Sequence, residues 1–200
     1  MNRADRGFRG TSAEPNSMRI IALCGSLRKG SFNRLGLDAL QALAPADFEI
    51  EIYPLGDLPL FNPDIEEERG LPPAVAAYRA AINAADGVVM SSPEYHHSIS
   101  GVLKNALDWD GSPSIYEEKP IAIMSVAPGP HGGSRTQYDL RKVLHSTDAY
   151  VLAHPEVFIA AAKSKFDSSG KLTDEKIAAA LTEWLAAFRA WILRMTPVSK

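Results

Sequence analysis

The sequence predicts an α/β fold built on a parallel sheet with helices on both faces, and two observations carry that prediction. From Met18 onward, short apolar runs alternate with amphipathic helical segments. The strand runs are also nearly continuous in apolar residues. A strand buried on both faces has no solvent side to mark, so continuous apolarity is what helices on both sides require.

The elements follow in chain order. MRIIALC reads as a strand, FNRLGLDALQAL as a helix, FEIEIYPL as a strand, VAAYRAAINA as a helix and DGVVMSS as a strand. GVLKNALDW then reads as a helix, PIAIMSVA as a strand, GSRTQYDLRKVLHS as a helix and YVLAHPEVFIA as a strand, before a long terminal helix. That makes five strands and about five helices. In the last helix Thr173 is the expected cap, and Asp174 and Glu175 suit the positive end of the dipole. Ile177, Leu181, Trp184, Leu185, Phe188 and Ile192 recur at helical spacing, which places Trp184 and Phe188 in the core. Asp64, Glu66, Glu67 and Glu68 read as a solvated acidic loop, and Asp167-Ser168-Ser169-Gly170 as a turn. Residues 1–17 are polar and are expected to form a mobile tail without function, with 18–200 as a single domain. Five buried strands fit the doubly wound order 2-1-3-4-5, so the loops after strands one, three and four should border the ligand crevice.

Composition narrows the function. With 200 residues, 46% of them hydrophobic, the chain should bury roughly 70% of its unfolded surface and needs no disulfide or metal staple. Its single Cys24 is expected to be packed inside. A formal net charge of -3 offers no positive face for nucleic acid. No apolar run approaches the ~18 residues of a membrane span, and the first 17 residues contain no apolar signal core. A cytoplasmic enzyme or binding domain is the expectation.

The loop Gly25-Ser26-Leu27-Arg28-Lys29-Gly30-Ser31-Phe32-Asn33 lies between the first strand and a helix. Glycines permit close backbone approach, Ser26 and Ser31 offer hydroxyls, Arg28 offers a charged fork, and the helix start offers free amides. An ordinary glycine-containing turn is the alternative. The dinucleotide pattern G-x-G-x-x-G is missing, and Ser31 and Phe32 stand where a P-loop needs Lys and Ser/Thr. One terminal phosphate, as on FMN, is the better match. Strand three ends in Ser91-Ser92-Pro93-Glu94-Tyr95-His96-His97-Ser98-Ile99-Ser100-Gly101, a polar and aromatic loop against which a planar ring could lie. Adjacent His96 and His97 have no accompanying ligand pattern, so no metal site is expected, and no G-x-S-x-G elbow supports serine hydrolysis.

The motifs GSLRKGSFNR and SPEYHHSISGVLKNALDW resemble the phosphate and isoalloxazine loops of the NADPH-dependent FMN reductases, a family of flavodoxin-like fold. LPLFNPD and the later Gly132-Gly133-Ser134-Arg135 with Gln137-Tyr138 and Leu140-Arg141 resemble it too, over about Met18 to Met195. The resemblance implies that Ser26, Arg28, Ser31, Phe32 and Asn33 hold the FMN phosphate and ribityl chain. Pro93, Glu94, Tyr95, His96 and Ser98 would border the ring, with Gly132 and Gly133 on its other side. His96 and Ser100 stand where the family usually has Asn and Pro. Ser100 suits a cap for the helix at Gly101, while His96 bears on ring contact and reduction potential. The implied function is hydride transfer from NADPH or NADH to FMN and on to quinone, azo, chromate or flavin acceptors, with no catalytic side chain beyond the flavin. An electron-transfer flavodoxin and a flavin-free binding scaffold are the rivals. The resemblance further implies a homodimer or homotetramer, with Lys104, Asn105 and Trp109 near a neighbour's site and Arg135 and Glu156 as interface ion pairs.

Overall fold

A computed structural model describes residues 17–196. Its sheet is parallel throughout. β1 (Met18–Cys24) lies between β2 (Phe48–Tyr53) and β3 (Gly87–Ser91), and β4 (Pro120–Val126) follows β3. The fifth position is shared by β5 (Tyr150–Val151) and β6 (Val157–Ile159), both paired with β4. The order is therefore 2-1-3-4-5, with the last position split.

The split corrects the expectation of one continuous last strand. β5 pairs with Pro120 and Ile121, whereas β6 pairs with Met124 to Val126. Pro155 stands between them and has no N–H to give to a ladder. A second correction concerns the acidic run, which is helical: α2 (Pro63–Arg69) is capped by Asn62, whose side chain accepts from the Asp64 amide at 3.0 Å. Proline opens this helix, acids fill its first turn and Arg69 ends it.

Two cores flank the sheet. On one face, α1 (Phe32–Leu43) and α6 (Glu175–Met195) cover Ile20, Ala22, Val89, Ala122 and Met124. On the other, α3 (Pro73–Ala84), α4 (Gly101–Asp108) and α5 (Ser134–His145) cover Ile21, Leu23, Val88, Met90 and Ile123. Adjacent residues of these central strands thus point to opposite helical layers, which is why their runs are largely apolar, whereas the edge strand β2 alternates and exposes Glu49 and Glu51. Trp184 and Phe188 are buried as expected. The cap of α6 is Asp174, one residue beyond Thr173; its side chain accepts from the Ile177 amide at 3.0 Å, while the Thr173 hydroxyl donates to the Lys165 carbonyl.

Gly36 sets how closely α1 approaches the sheet. A Cβ there would lie 2.7 Å from Val126 Cγ2 and 2.9 Å from Met124 Cε. Gly36→Val is expected to cost about 2 kcal/mol by forcing helix and strand apart. Urea unfolding measures it, and an unchanged midpoint would show that α1 shifts freely.

Candidate functional site

The carboxyl ends of β1, β3 and β4 meet at one rim, where the strand order reverses. Asn33 ties them together from the first turn of α1. Its Nδ2 donates to the Val126 carbonyl at 3.1 Å, and its Oδ1 accepts from the Val126 amide at 3.0 Å and from Ser91 Oγ at 2.9 Å. The residue is 3% exposed, and its side chain holds β3 and β4 to α1. Its backbone amide stays available.

The first loop fits a phosphomonoester. Ser31 caps α1, its hydroxyl accepting from the Arg34 amide at 3.3 Å. Among the described residues, the amides of Leu27, Arg28, Lys29, Gly30, Phe32 and Asn33 meet no protein acceptor. Unpaired amides beside a helix N-terminus form an anion cradle. Arg28 has no ion-pair partner among the described residues; it is exposed and lies 5.6 Å over the Phe32 ring, leaving its fork free. Phe32 is half-buried and meets Phe166 at 6.5 Å. Ser26 is half-buried, and its carbonyl accepts from Cys24 Sγ at 3.5 Å. Cys24 itself is buried, and burial pushes its thiol above the ordinary value, which makes it a packing residue and a poor nucleophile.

The loop after β3 is a hairpin. Tyr95 and Ser98 exchange both backbone hydrogen bonds, at 3.1 and 3.0 Å, across a two-residue turn at His96-His97. Both histidines take left-handed φ, 50° and 66°. This is where Asn and Gly are comfortable and other residues are strained. An Asn at position 96, where the resembled family usually carries one, would thus suit this backbone. His97→Gly is expected to stabilise the protein by about 0.5 kcal/mol in urea unfolding, the relief outweighing the added chain entropy. Destabilisation would contradict it. Both histidines are exposed, and so is Tyr95, while Pro93 is buried.

The same loop is fastened to α5. Arg135 gives Glu94 two hydrogen bonds, from its amide at 3.1 Å and its Nε at 2.7 Å. His97 Nδ1 lies 3.6 Å from the same carboxylate. Ser98 donates to Asp139. Burial raises the Glu94 carboxyl, but the hydrogen bonds and charge of Arg135 outweigh it and hold it below its usual range. A depressed carboxylate contributes above its unfolded pKa and is lost as pH falls through its folded one. The hairpin is therefore expected to loosen on acidification through the carboxylate range, read as a fall in the protection of the Tyr95 and Ser98 amides relative to their intrinsic exchange rate at each pH. Equal exchange in Glu94→Gln and wild type at neutral pH would contradict this.

Arg135 and Glu156 are thus paired within the chain, Glu156 with Arg141 at 3.8 Å. Trp109 is fully buried; it and Asn105 each donate to the Pro59 carbonyl at 2.8 Å, and Asn105 accepts from the Phe61 amide. They pin the loop after β2, while Lys104 pairs with Asp108. Ser100 caps α4 as expected, accepting from the Leu103 amide at 3.2 Å.

Sequence reasoning passed over the polar residues that close the site from beneath. Ser92 Oγ accepts from Thr136 Oγ1 at 3.2 Å, and Ser125 Oγ donates to the Gly132 carbonyl at 2.7 Å. Their signal is a serine near the end of an otherwise apolar strand run, as in PIAIMSVA and DGVVMSS. Gly132 and Gly133 are buried with left-handed φ of 59° and 80°, where a side chain would strike Phe158 and Ser125. Among the described residues, no cluster of His, Cys, Asp or Glu could hold a metal, and no helix is long and apolar enough to cross a membrane.

An anion cradle, a hairpin and a glycine pair at the switch point define a doubly wound α/β domain of the mononucleotide-binding class. The chain belongs to the NADPH-dependent FMN reductase family, whose profile matches residues 18–164. It is 42% identical over 190 residues to a probable NADPH:quinone oxidoreductase of Oryza sativa, covering 92% of this chain and 93% of that one. It is 37% identical over 182 residues to an NAD(P)H-dependent FMN reductase of Pseudomonas aeruginosa, covering 90% and 98%. The solved structure of FerB, a flavoenzyme NAD(P)H:(acceptor) oxidoreductase from Paracoccus denitrificans, superposes with a TM-score of 0.82 at 31% identity, covering 89% and 98%.

Proposed function

We propose that this chain is an FMN-dependent oxidoreductase that uses NADPH or NADH to reduce quinone-type acceptors, with 18–200 as one FMN-binding domain. The observation that carries the reading is the row of amides at the start of α1 that, like the Arg28 guanidinium, meet no acceptor among the described residues. Those amides, with Arg28 and the Ser26 and Ser31 hydroxyls, hold the phosphate. Pro93, Glu94, Tyr95, His96 and Ser98 border the ring on one side, and Gly132 and Gly133 on the other. FMN held by these residues would supply the two-electron redox chemistry between nicotinamide and acceptor. For a quinone, NAD(P)H and one solvent proton give NAD(P)+ and the hydroquinone, so electrons and hydrogens balance.

The residues bind and orient; none needs to form a covalent bond to substrate. Glu94, held by Arg135, keeps the hairpin against α5 and so fixes the width of the crevice. Exposed Leu60, Phe61, Tyr95 and Tyr138 give apolar surface to a planar acceptor or to a second copy, and a homodimer or homotetramer in the cytoplasm belongs to the proposal. Initial rates of NADPH oxidation at several fixed quinone concentrations test it. Parallel double-reciprocal lines are expected, since both substrates use one face in turn; intersecting lines would mean that both bind together.

A further inference from the structure

We propose that Gln137 is a positioning residue, which aims the Gly133 N–H into the crevice through Ser125 and the Gly132 carbonyl. The inference deepens the FMN reading and rests on it. Gly132 and Gly133 are consecutive left-handed glycines, and the peptide plane between two glycines turns at little cost because neither carries a Cβ. Something must therefore fix which way that plane faces. In a trans peptide the carbonyl and the N–H point in opposite directions. With the Gly132 carbonyl drawn inward to Ser125 Oγ at 2.7 Å, the Gly133 N–H faces away from the sheet interior. Gly133 is buried, and among the described residues its N–H meets no acceptor. A buried unpaired donor calls for a partner, and in the flavin reading that partner is a carbonyl oxygen or ring nitrogen of the isoalloxazine.

The direction of each bond in this chain is determined. Gln137 Nε2 donates to the Val157 carbonyl at 2.7 Å, an atom that can only accept, and this settles which way the side-chain amide is turned. The other Nε2 proton then goes to Ser125 Oγ at 2.8 Å. A serine oxygen receiving a proton on that side sends its own to Gly132. β6, α5 and β4 thus act in series on one peptide plane.

The arrangement leaves Gln137 Oε1 buried without a partner among the described residues. A buried acceptor left unpaired costs stability, and an apolar side chain of similar volume would avoid that cost. Gln137 is 0% exposed, so solvent does not compensate it. Packing alone does not explain a glutamine here, whereas orienting Ser125 does.

The test uses the FMN-loaded protein with Gln137→Met, which keeps volume and removes the donor, and Ser125→Ala, which removes only one hydroxyl. Each is expected to weaken FMN binding about tenfold, the worth of one well-placed hydrogen bond, and to shift the midpoint potential of bound flavin in the same direction. The double variant is expected to be no weaker than either single one, because both break one relay. Should Gln137→Met not fold, Ser125→Ala carries the test. Variants with a lower melting temperature but wild-type FMN affinity and potential would overturn the positioning role alone. A wild type that binds no FMN would overturn the flavin reading, and this role with it.

Discussion

Asn33→Ala is expected to lower unfolding stability by about 3–5 kcal/mol, the largest loss from any single polar side chain at this rim. The substitution removes three hydrogen bonds at once and strands their partners. The Val126 N–H and C=O lie at the end of β4, and Ser91 Oγ lies in β3, all of them fully or nearly fully buried. No water reaches them, so each orphaned group bears a desolvation cost beyond the lost bond. Ser91→Ala breaks only one of the three and is expected to cost about 1 kcal/mol. Urea unfolding of both variants measures the difference. Equal, small losses would mean that Asn33 is not the tie between α1 and the two strands.

Arg28→Glu is expected to weaken FMN binding about 100-fold while leaving riboflavin affinity unchanged. The guanidinium is exposed, stacked on Phe32 and free of any carboxylate partner among the described residues, so its charge is available to a phosphate. A charge-assisted hydrogen bond is worth about 1.5–3 kcal/mol, and reversal adds repulsion against a dianion. Riboflavin has the ring and ribityl chain without the phosphate, so it separates the cradle from the rest of the site. Titration of both flavins by fluorescence quenching decides the matter. Equal weakening for the two would show that the substitution damaged the fold or the ring site instead.

What could be read from the residues in order was the local chemistry. β1, β3 and β4 are apolar runs with no polar face to confuse their period, and Ser100 and the α6 heptad-like spacing mark their helices plainly. The loops after β1, β3 and β4 were placed at the crevice by strand order alone, and the order holds. α2 was missed although it carries Asn62, Pro63 and Gly70 as start and stop marks, because a seven-residue helix with no buried residue shows no hydrophobic period. The broken last strand was missed because YVLAHPEVFIA is apolar at both ends, and only the pairing with β4 shows where the ladder lapses.

The site divides in the same way. Its donors sit in contiguous motifs and were legible. Its supports join residues far apart in the chain: Asn33 meets Val126 93 positions away, Glu94 meets Arg135 at 41, and Thr136 meets Ser92 at 44. No local pattern announces such a pair. Asn33 illustrates the difficulty, since a polar residue in a phosphate loop invites a ligand role, yet its side chain serves β3 and β4 and only its amide faces the loop.

The measurement that bears most directly on the account is the visible absorption spectrum of the protein after loading with FMN and desalting, followed by anaerobic addition of NADPH or NADH. The account predicts a retained flavin spectrum that bleaches on adding the nicotinamide and returns when a quinone is supplied. A colourless protein after desalting would contradict the FMN site, and a flavin spectrum that no nicotinamide bleaches would leave an electron carrier in place of a reductase.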